Sequence, residues 1–232
     1  MGKIAKALGR HGVLGLIALL PKNAWRLLTY FSARQRRARD SALEFDRRFV
    51  VDTAAPRSLS DLDIPPELSR HASPYQATMS AQDCIAALNI EYRNYIFIDY
   101  GSGKGRVLLQ ATEFPFRQII GVECSKQLTD IARRNFAIYR NAAQRCHDIQ
   151  LVEGDAGAYE PPAAPTVFFL YNPFDEAILT RALANIGRVH NAARRMDYLI
   201  YVDPRHRAII DTRSEWLSII DRGGWVAYRS QT

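Results

Sequence analysis

Seven short apolar runs, separated by polar, glycine-bearing or proline-bearing stretches, organise the chain from residue 95 to residue 230. YIFID at 95–99, QIIGVE from 118, IQLVE from 149, TVFFLY from 166 and MDYLIYV from 196 are rich in β-branched and aromatic residues and bounded by turn signals. Each is therefore read as a strand of the buried type. A helix-forming segment follows the first run, and DEAILTRALANIGRVH (175–190) has the 3.6-residue periodicity of a helix between the fourth and fifth. MSAQDCIAALNI (79–90) predicts a helix capped at Ser80 and leading into the first strand. WLSIIDRGGWVAYRS (216–230) holds two apolar runs joined by Arg222-Gly223-Gly224, which predicts a hairpin. Strands alternating with helices predict an α/β fold, here five strands of the βα type followed by an antiparallel pair.

Ahead of this region the pattern changes twice. FDRRFVVDTAAPRSLSDLDIPPELSRHASPY (45–75) is rich in Pro, Ser and Asp with little helical periodicity, and reads as an extended connector that wraps the domain. The N-terminus carries Lys3, Lys6 and Arg10, then GVLGLIALL (12–20), then AWRLLTYF (24–31) and the basic cluster SARQRRAR (32–39). The nine-residue apolar run is too short to span a membrane, which needs ~20 residues, and no small-x-small cleavage site follows it. This gives three regions: 1–48, a basic amphipathic extension; 49–74, the connector; and 75–232, the α/β domain.

Charge sharpens that division. Residues 1–48 hold eleven Lys/Arg against three Asp/Glu, or +8, whereas 49–232 hold twenty against twenty-one, or −1. A nucleic-acid footprint over the α/β domain is not expected from such a balance. Basic residues beside an apolar and aromatic stripe suit an anionic membrane surface or a protein partner, and equally a helix packed on its own domain. Three cysteines, Cys84, Cys124 and Cys146, have no close pair, and His71, His147, His190 and His206 are scattered, so neither a disulfide framework nor a metal site is expected. Cys84 and Cys124 lie in apolar runs and read as small core residues of a protein in a reducing, cytoplasmic compartment, or peripheral at the inner membrane surface.

The candidate chemistry lies at the strand ends. The first strand ends at Asp99 and turns through Gly101, Gly103 and Gly105 into a helix. Glycines there let a nucleotide-type ligand approach the backbone at the carboxyl edge of the sheet. Their spacing, G-x-G-x-G, differs from the G-x-G-x-x-G of nicotinamide and flavin enzymes, and Lys104 is followed by glycine where a phosphate loop needs Ser or Thr. A tight strand-to-helix turn with no ligand is the plainer alternative. Glu123, eighteen residues after Gly105, is placed to accept both hydroxyls of a ribose, and Asp155, after the third strand, to accept from an exocyclic amine such as that of adenine. Both acids would also serve as caps of the helices that follow.

Asp99-Tyr100-Gly101-Ser102-Gly103-Lys104-Gly105, Glu123 and Asp155, in this order, resemble the cofactor site of class I S-adenosylmethionine-dependent methyltransferases, over residues 75–232. The resemblance implies a Rossmann-like, seven-stranded, mostly parallel sheet with helices on both faces and a terminal antiparallel hairpin. It implies S-adenosyl-L-methionine as cofactor, S-adenosyl-L-homocysteine as product and no metal. Within it, the glycine turn lies beside the methionine half, Asp99 serves the amino group, Glu123 the ribose, and Asp155 with the Ala156 backbone the adenine. The segment ahead of the first strand closes over the cofactor in that fold, which makes Tyr75 a candidate contact. Asn172-Pro173-Phe174, at the end of the fourth strand, resembles the N-P-P-[YF] motif of methyltransferases acting on nitrogen, with one proline in place of two. By that resemblance Asn172 orients the acceptor nitrogen, helped by a backbone carbonyl, and Phe174 packs on the substrate; Asn-Pro is also an ordinary turn signal. FDRRFVVDT, IDYGSGKGR, IIGVECS and FLYNPFD together are similar to a bacterial group of such enzymes without an assigned acceptor, and more distantly to protein lysine methyltransferases. A cofactor-binding module without turnover and a nicotinamide-dependent oxidoreductase are the rival expectations.

Overall fold

The computed structural model describes residues 33–75 and 80–231, with side chains from Arg36 onwards. The apolar run at 12–20 and the aromatic segment at 24–31 lie outside the described residues, as does Met79.

Described elements run in the order α1 (Ala33–Phe49), α2 (Pro66–Ser69), α3 (Gln82–Ala86), β1 (Ile96–Tyr100), α4 (Arg106–Ala111), β2 (Gln118–Glu123), α5 (Lys126–Ile138), β3 (Ile149–Glu153), β4 (Thr166–Tyr171), α6 (Glu176–Ala193), β5 (Tyr198–Val202), α7 (Ala208–Asp211), β6 (Trp216–Asp221) and β7 (Trp225–Ser230). The seven strands form one sheet in the order β3-β2-β1-β4-β5-β7-β6. β1 to β5 are mutually parallel, and β7 inserts antiparallel between β5 and β6. This is the α/β sheet with a terminal antiparallel hairpin that the strand count and the resemblance both imply.

The chain order turns back at β1, which is flanked by β2 on one side and β4 on the other. In a parallel sheet that switch point opens a crevice beyond the carboxyl ends of the strands. Alternate residues of the central strands face opposite layers. Ile96, Ile98 and Tyr100 pack with Ile178, Leu179, Leu183 and Ile186 of α6, while Phe97 packs with Val107, Leu108 and Ala111 of α4. Burying each large apolar side chain of this kind contributes about 1.5–3 kcal/mol, which explains runs that read as continuously hydrophobic.

Two elements differ from expectation. Among its described residues the periodic segment 79–90 is helical only over Gln82–Ala86, with Ala81 at the cap position; Ser80 Oγ accepts from the Gln82 amide at 3.3 Å instead of closing a full cap. The Tyr92 hydroxyl takes the Ile85 carbonyl at 2.9 Å and Asn89 turns left-handed, so the helix stops early. The connector is less extended than its composition suggests. It contains α2, and its Ala72 bridges antiparallel to Phe174 beyond β4.

The described part of the basic extension packs on its own domain. Ala38 and Ala42 of α1 are buried, and Phe45 and Phe49 stack near Tyr139, with ring centroids 6.2 and 4.8 Å away. Arg36, Arg37 and Arg39 are exposed. Among the described residues no helix is long and apolar enough to cross a membrane.

Candidate active site

A cavity of about 290 Å³ opens at the carboxyl edge, between the ends of β1, β2 and β4 and the connector. Glycine makes its first turn possible: Gly101, Gly103 and Gly105 have φ of +76°, +54° and +83°, a region that costs other residues roughly 1–2 kcal/mol. Asp99, Gly101 and Ser102 line the cavity, as do Glu123, Asp155 and Ala156. Tyr75, Asn172 and Phe174 lie on its wall as well. Gly103 and Gly105 do not line it. A Cβ on Gly103 would collide with the Tyr75 ring, and one on Gly105 would meet Phe136 and Ala132 at 3.2 and 3.3 Å. These two glycines thus serve close packing of the turn.

The two innermost acids behave differently. Glu123 is 8% exposed, yet it is well satisfied: the Gly103 amide donates to Oε2 and the Ser125 amide to Oε1, each at 2.9 Å. Burial pushes its carboxyl up, and those amides pull it down. It does not cap α5; Ser125 does, with Asp63 of the connector accepting from the Ser125 hydroxyl at 2.7 Å. Asp99 is 3% exposed, and no hydrogen bond from the described residues reaches its carboxylate. Burial, and then the negative charge of Glu123, hold its carboxyl well above the usual carboxylate range. A buried carboxylate without a donor costs several kcal/mol in its charged form, so this position fits a cationic or N–H-bearing ligand group. The amino group of S-adenosylmethionine is such a group. Glu123, an acceptor, lines the same cavity at the end of β2, and such a group fits the ribose hydroxyls of that cofactor.

Asp155 is more committed than expected. Its Oδ1 accepts from the Gly157 amide at 2.7 Å, and its Oδ2 pairs with Arg181 at 3.0 Å. It caps its own turn while lining the cavity, with Ala156 beside it.

At the end of β4, Asn172 adopts φ +39° and its Oδ1 accepts from the Tyr201 hydroxyl at a long 3.4 Å. The backbone carbonyls expected to help are already engaged: Ser73 donates its hydroxyl to the Asn172 carbonyl at 3.0 Å and its amide to that of Pro173 at 2.9 Å. Pro173 itself presses on the glycine turn, since a Cβ on Gly101 would strike it. Phe174 is 8% exposed and joins the core beneath the cavity, so its ring belongs to the core as well as to the cavity wall. Tyr75 donates its hydroxyl to the Thr53 carbonyl at 2.6 Å while its ring covers Gly103.

Several lining residues were not among those expected. Leu62, Ile64, Leu68 and His71 make the connector a wall of the site. His71 Nδ1 lies 2.6 Å from Asp175, and its Nε2 accepts from Arg70. The pairing of His71 with Asp175, 104 positions away, leaves no sequence signal. Cys124, expected in the core, is half-buried on the cavity wall, its thiol pushed up to about 12 by burial and then by the adjacent Glu123. Cys84 is buried as expected. Arg106 also lines the cavity, and it does carry a signal: a cation at the first residue of a helix opposes the helix dipole. Among the described residues no group of His, Cys, Asp and Glu is arranged to hold a metal ion.

Residues 77–151 match the family model described as histone methylation protein DOT1. That stretch contains the glycine turn, Glu123 and most of β3. No curated protein matches the sequence. Solved structures that resemble the chain include a TehB-like SAM-dependent methyltransferase from Corynebacterium glutamicum, at 15% identity over 66% of this chain and 88% of that one, with a TM-score of 0.46. They also include the glycopeptide N-methyltransferase MtfA in complex with S-adenosyl-L-methionine, at 12% identity over 68% and 89%, TM-score 0.48. A third is the mitomycin 7-O-methyltransferase MmcR, at 15% identity over 65% and 53%, TM-score 0.48. The chain has five parallel strands and an antiparallel hairpin, the arrangement that the resemblance implies, with its glycine turn at the switch point of the sheet.

Proposed function

We propose that this protein is an S-adenosylmethionine-dependent methyltransferase that delivers its methyl group to nitrogen. The observation that carries the cofactor reading is the bare, buried carboxylate of Asp99 on a cavity wall shared with the glycine turn and Glu123. Bound there, the cofactor supplies an electrophilic methyl group. Asp99 would receive the amino group, Glu123 the ribose hydroxyls, and the Asp155–Ala156 turn the adenine. Transfer from a sulfonium is an in-line displacement, so the chain's contribution is to hold the acceptor in line and keep water out. Asn172 suits the holding role, because among the described residues its amide oxygen is engaged only by the long bond from Tyr201, which leaves acceptor capacity for an N–H. The connector and Tyr75 suit the exclusion of water, because they line the cavity with Leu62, Ile64, Leu68 and the Tyr75 ring.

The test has two stages. S-adenosylhomocysteine should raise the melting temperature, as any ligand that prefers the native state must, and NAD should not. Cofactor carrying a radiolabelled methyl group, incubated with fractionated cell extract, should then label an acceptor. Stabilisation by NAD alone would replace this reading with the oxidoreductase one. Binding without transfer to any fraction would leave a cofactor-binding module.

A further inference from the structure

Helix α1 ends on a residue that the fold itself does not favour. Val50, directly after α1, has φ +57° and is 77% exposed. The Val51 amide donates back to the Asp46 carbonyl at 3.1 Å, a helix ending in which the left-handed residue is usually glycine, and a β-branched side chain rarely occupies that region. Packing gives no reason for a valine there. Its neighbour Val51 is buried beside Leu109 and Tyr139, whereas Val50 belongs to no core cluster of the described residues. An apolar side chain held in a disfavoured conformation and left in water points to something that it meets outside the fold.

Its surroundings narrow down what that is. Val50 lines a surface depression between α1 and α5 together with Arg47, Arg134 and Ile138, and Ile138 is 49% exposed. Leu43, also exposed, lies one helical turn before Arg47 on the same side of α1. Arg47 and Arg134 enter no ion pair among the described residues, and acids close by are already engaged, Asp52 by Lys104, Asp46 by Thr53, and Asp130 by Lys126 and Arg133. Asp40 and Glu44 are exposed, yet Arg36, Arg37, Arg47 and Arg48 outnumber them on the same helix. Residues 1–32, which lead into α1, add five Lys/Arg and no Asp/Glu. The face is therefore positive, with aliphatic side chains set among arginines.

We propose that this face seats on an anionic lipid surface, with Leu43, Val50 and Ile138 entering the headgroup region and Arg47 and Arg134 meeting lipid phosphates. Three aliphatic side chains make too little apolar area for a stable protein interface, which buries about 800 Å² on each partner. Interfacial lipid binding needs only a few inserted apolar groups beside cations, because each arginine near an anionic surface adds its own attraction. The charge of the chain ahead of α1 has the same sign and acts in the same direction. No residue lines both this depression and the cavity of the candidate active site, so docking here is independent of the cofactor reading and leaves that cavity uncovered.

Flotation of the full chain with two kinds of vesicle tests it, phosphatidylcholine alone and an equal mixture of phosphatidylcholine and phosphatidylserine. Wild type should float with the mixture, stay behind with phosphatidylcholine, and release as salt is raised. Val50→Asn places a residue that tolerates the left-handed conformation at the end of α1, so its melting temperature should equal or exceed that of wild type while vesicle affinity falls roughly 5- to 10-fold. Arg47→Gln with Arg134→Gln should lower affinity by roughly 25-fold, at about one headgroup contact for each arginine. Unchanged affinity in both variants would overturn the proposal, by placing lipid contact on residues 1–32 alone. Should Val50→Asn melt lower than wild type, Ile138→Ser decides, and undiminished vesicle binding there overturns it. Absence of wild-type binding to the anionic mixture would overturn it as well, and a wild-type dimer that Val50→Asn dissociates would then assign the face to a second copy of the chain.

Discussion

The Gly103 amide donates to Glu123 Oε2 at 2.9 Å, so the carboxylate at the end of β2 ties down the middle of the turn that follows β1. One side chain thus shapes the glycine turn and lines the cavity, where the proposal places a ribose. Glu123→Ala should orphan the buried amides of Gly103 and Ser125 and cost about 1–3 kcal/mol of stability for each amide that water does not reach. It should also weaken S-adenosylhomocysteine binding at least ~10-fold. Glu123→Gln keeps acceptor oxygen and should fall between. Denaturant unfolding reads the first effect and calorimetry the second; full affinity in a folded Glu123→Ala protein would remove the ribose role.

Asp99 sets a pH dependence of unusual sign. Its folded-state carboxyl lies well above the ordinary range, raised first by burial and then by Glu123. The folded protein therefore holds a proton there that the unfolded chain has lost. This stabilising contribution is complete below the usual carboxylate pKa and disappears as pH rises through the folded value. Asp99→Asn removes the titration. The variant should be more stable than wild type at neutral pH, and it should bind S-adenosylhomocysteine more weakly because an amide cannot match an ammonium ion. Melting temperatures of both proteins across the range from about pH 4 to about pH 9 should converge at the acid end; parallel curves would show that Asp99 is not the group responsible.

The strand ends are legible in the sequence because a buried parallel strand leaves two plain marks. These are a run of β-branched and aromatic residues, and a polar or glycine stop at the edge, as at Asp99–Gly101, Glu123 and Asn172. The walls between them are not legible. His71 reaches the cavity through a two-residue bridge, Ala72 to Phe174, that no local periodicity encodes. Helix α3 is shorter than its pattern because the backbone beyond Ala86 closes into tighter turns, Leu88 donating to the Ile85 carbonyl and Asn89 to that of Ala86, with the Tyr92 hydroxyl also donating to Ile85. Asp155 does lie just beyond a strand end, but its partner Arg181 belongs to α6, and propensity says nothing of such pairing.

Helix α1 is linked to the glycine turn through one acid. Asp46 accepts from the Thr53 amide at 2.8 Å, the Thr53 hydroxyl at 2.5 Å and the Ala54 amide at 2.7 Å. The Thr53 carbonyl in turn receives the Tyr75 hydroxyl, and the Tyr75 ring lies on Gly103. Asp46→Ala should cost about 2 kcal/mol through the buried Thr53 donors and loosen Tyr75. Hydrogen exchange should accelerate at 51–54 and at 101–105 while β4 and β5 keep their protection. Acceleration confined to α1 would show that the relay stops at Thr53.

Asn172 separates chemistry from binding. Among the described residues its side chain accepts only the long bond from Tyr201, its carbonyl is held by Ser73, and its φ of +39° is one that Asn tolerates better than most residues. Asn172→Ala therefore changes two things, removing the amide and straining the backbone by about 1 kcal/mol. Asn172→Gly removes the amide without that strain, and Asn172→Asp keeps an acceptor while adding charge. If the amide aligns the acceptor nitrogen, Ala and Gly variants should lose turnover about equally, by ~100-fold, with S-adenosylhomocysteine affinity unchanged, because in the proposed site the cofactor is held by Asp99 and Glu123 and not by Asn172. If Asn172 is only a turn residue, the Gly variant should work at the wild-type rate and the Ala variant should be merely less stable. Phe174→Leu, which keeps the core filled, should raise KM more than it lowers kcat if the ring touches substrate. Wild-type KM in that variant would assign Phe174 to the core alone. The nitrogen-directed reading fails if Asn172→Gly is fully active, whereas the cofactor reading stands on Asp99, the glycine turn and Glu123.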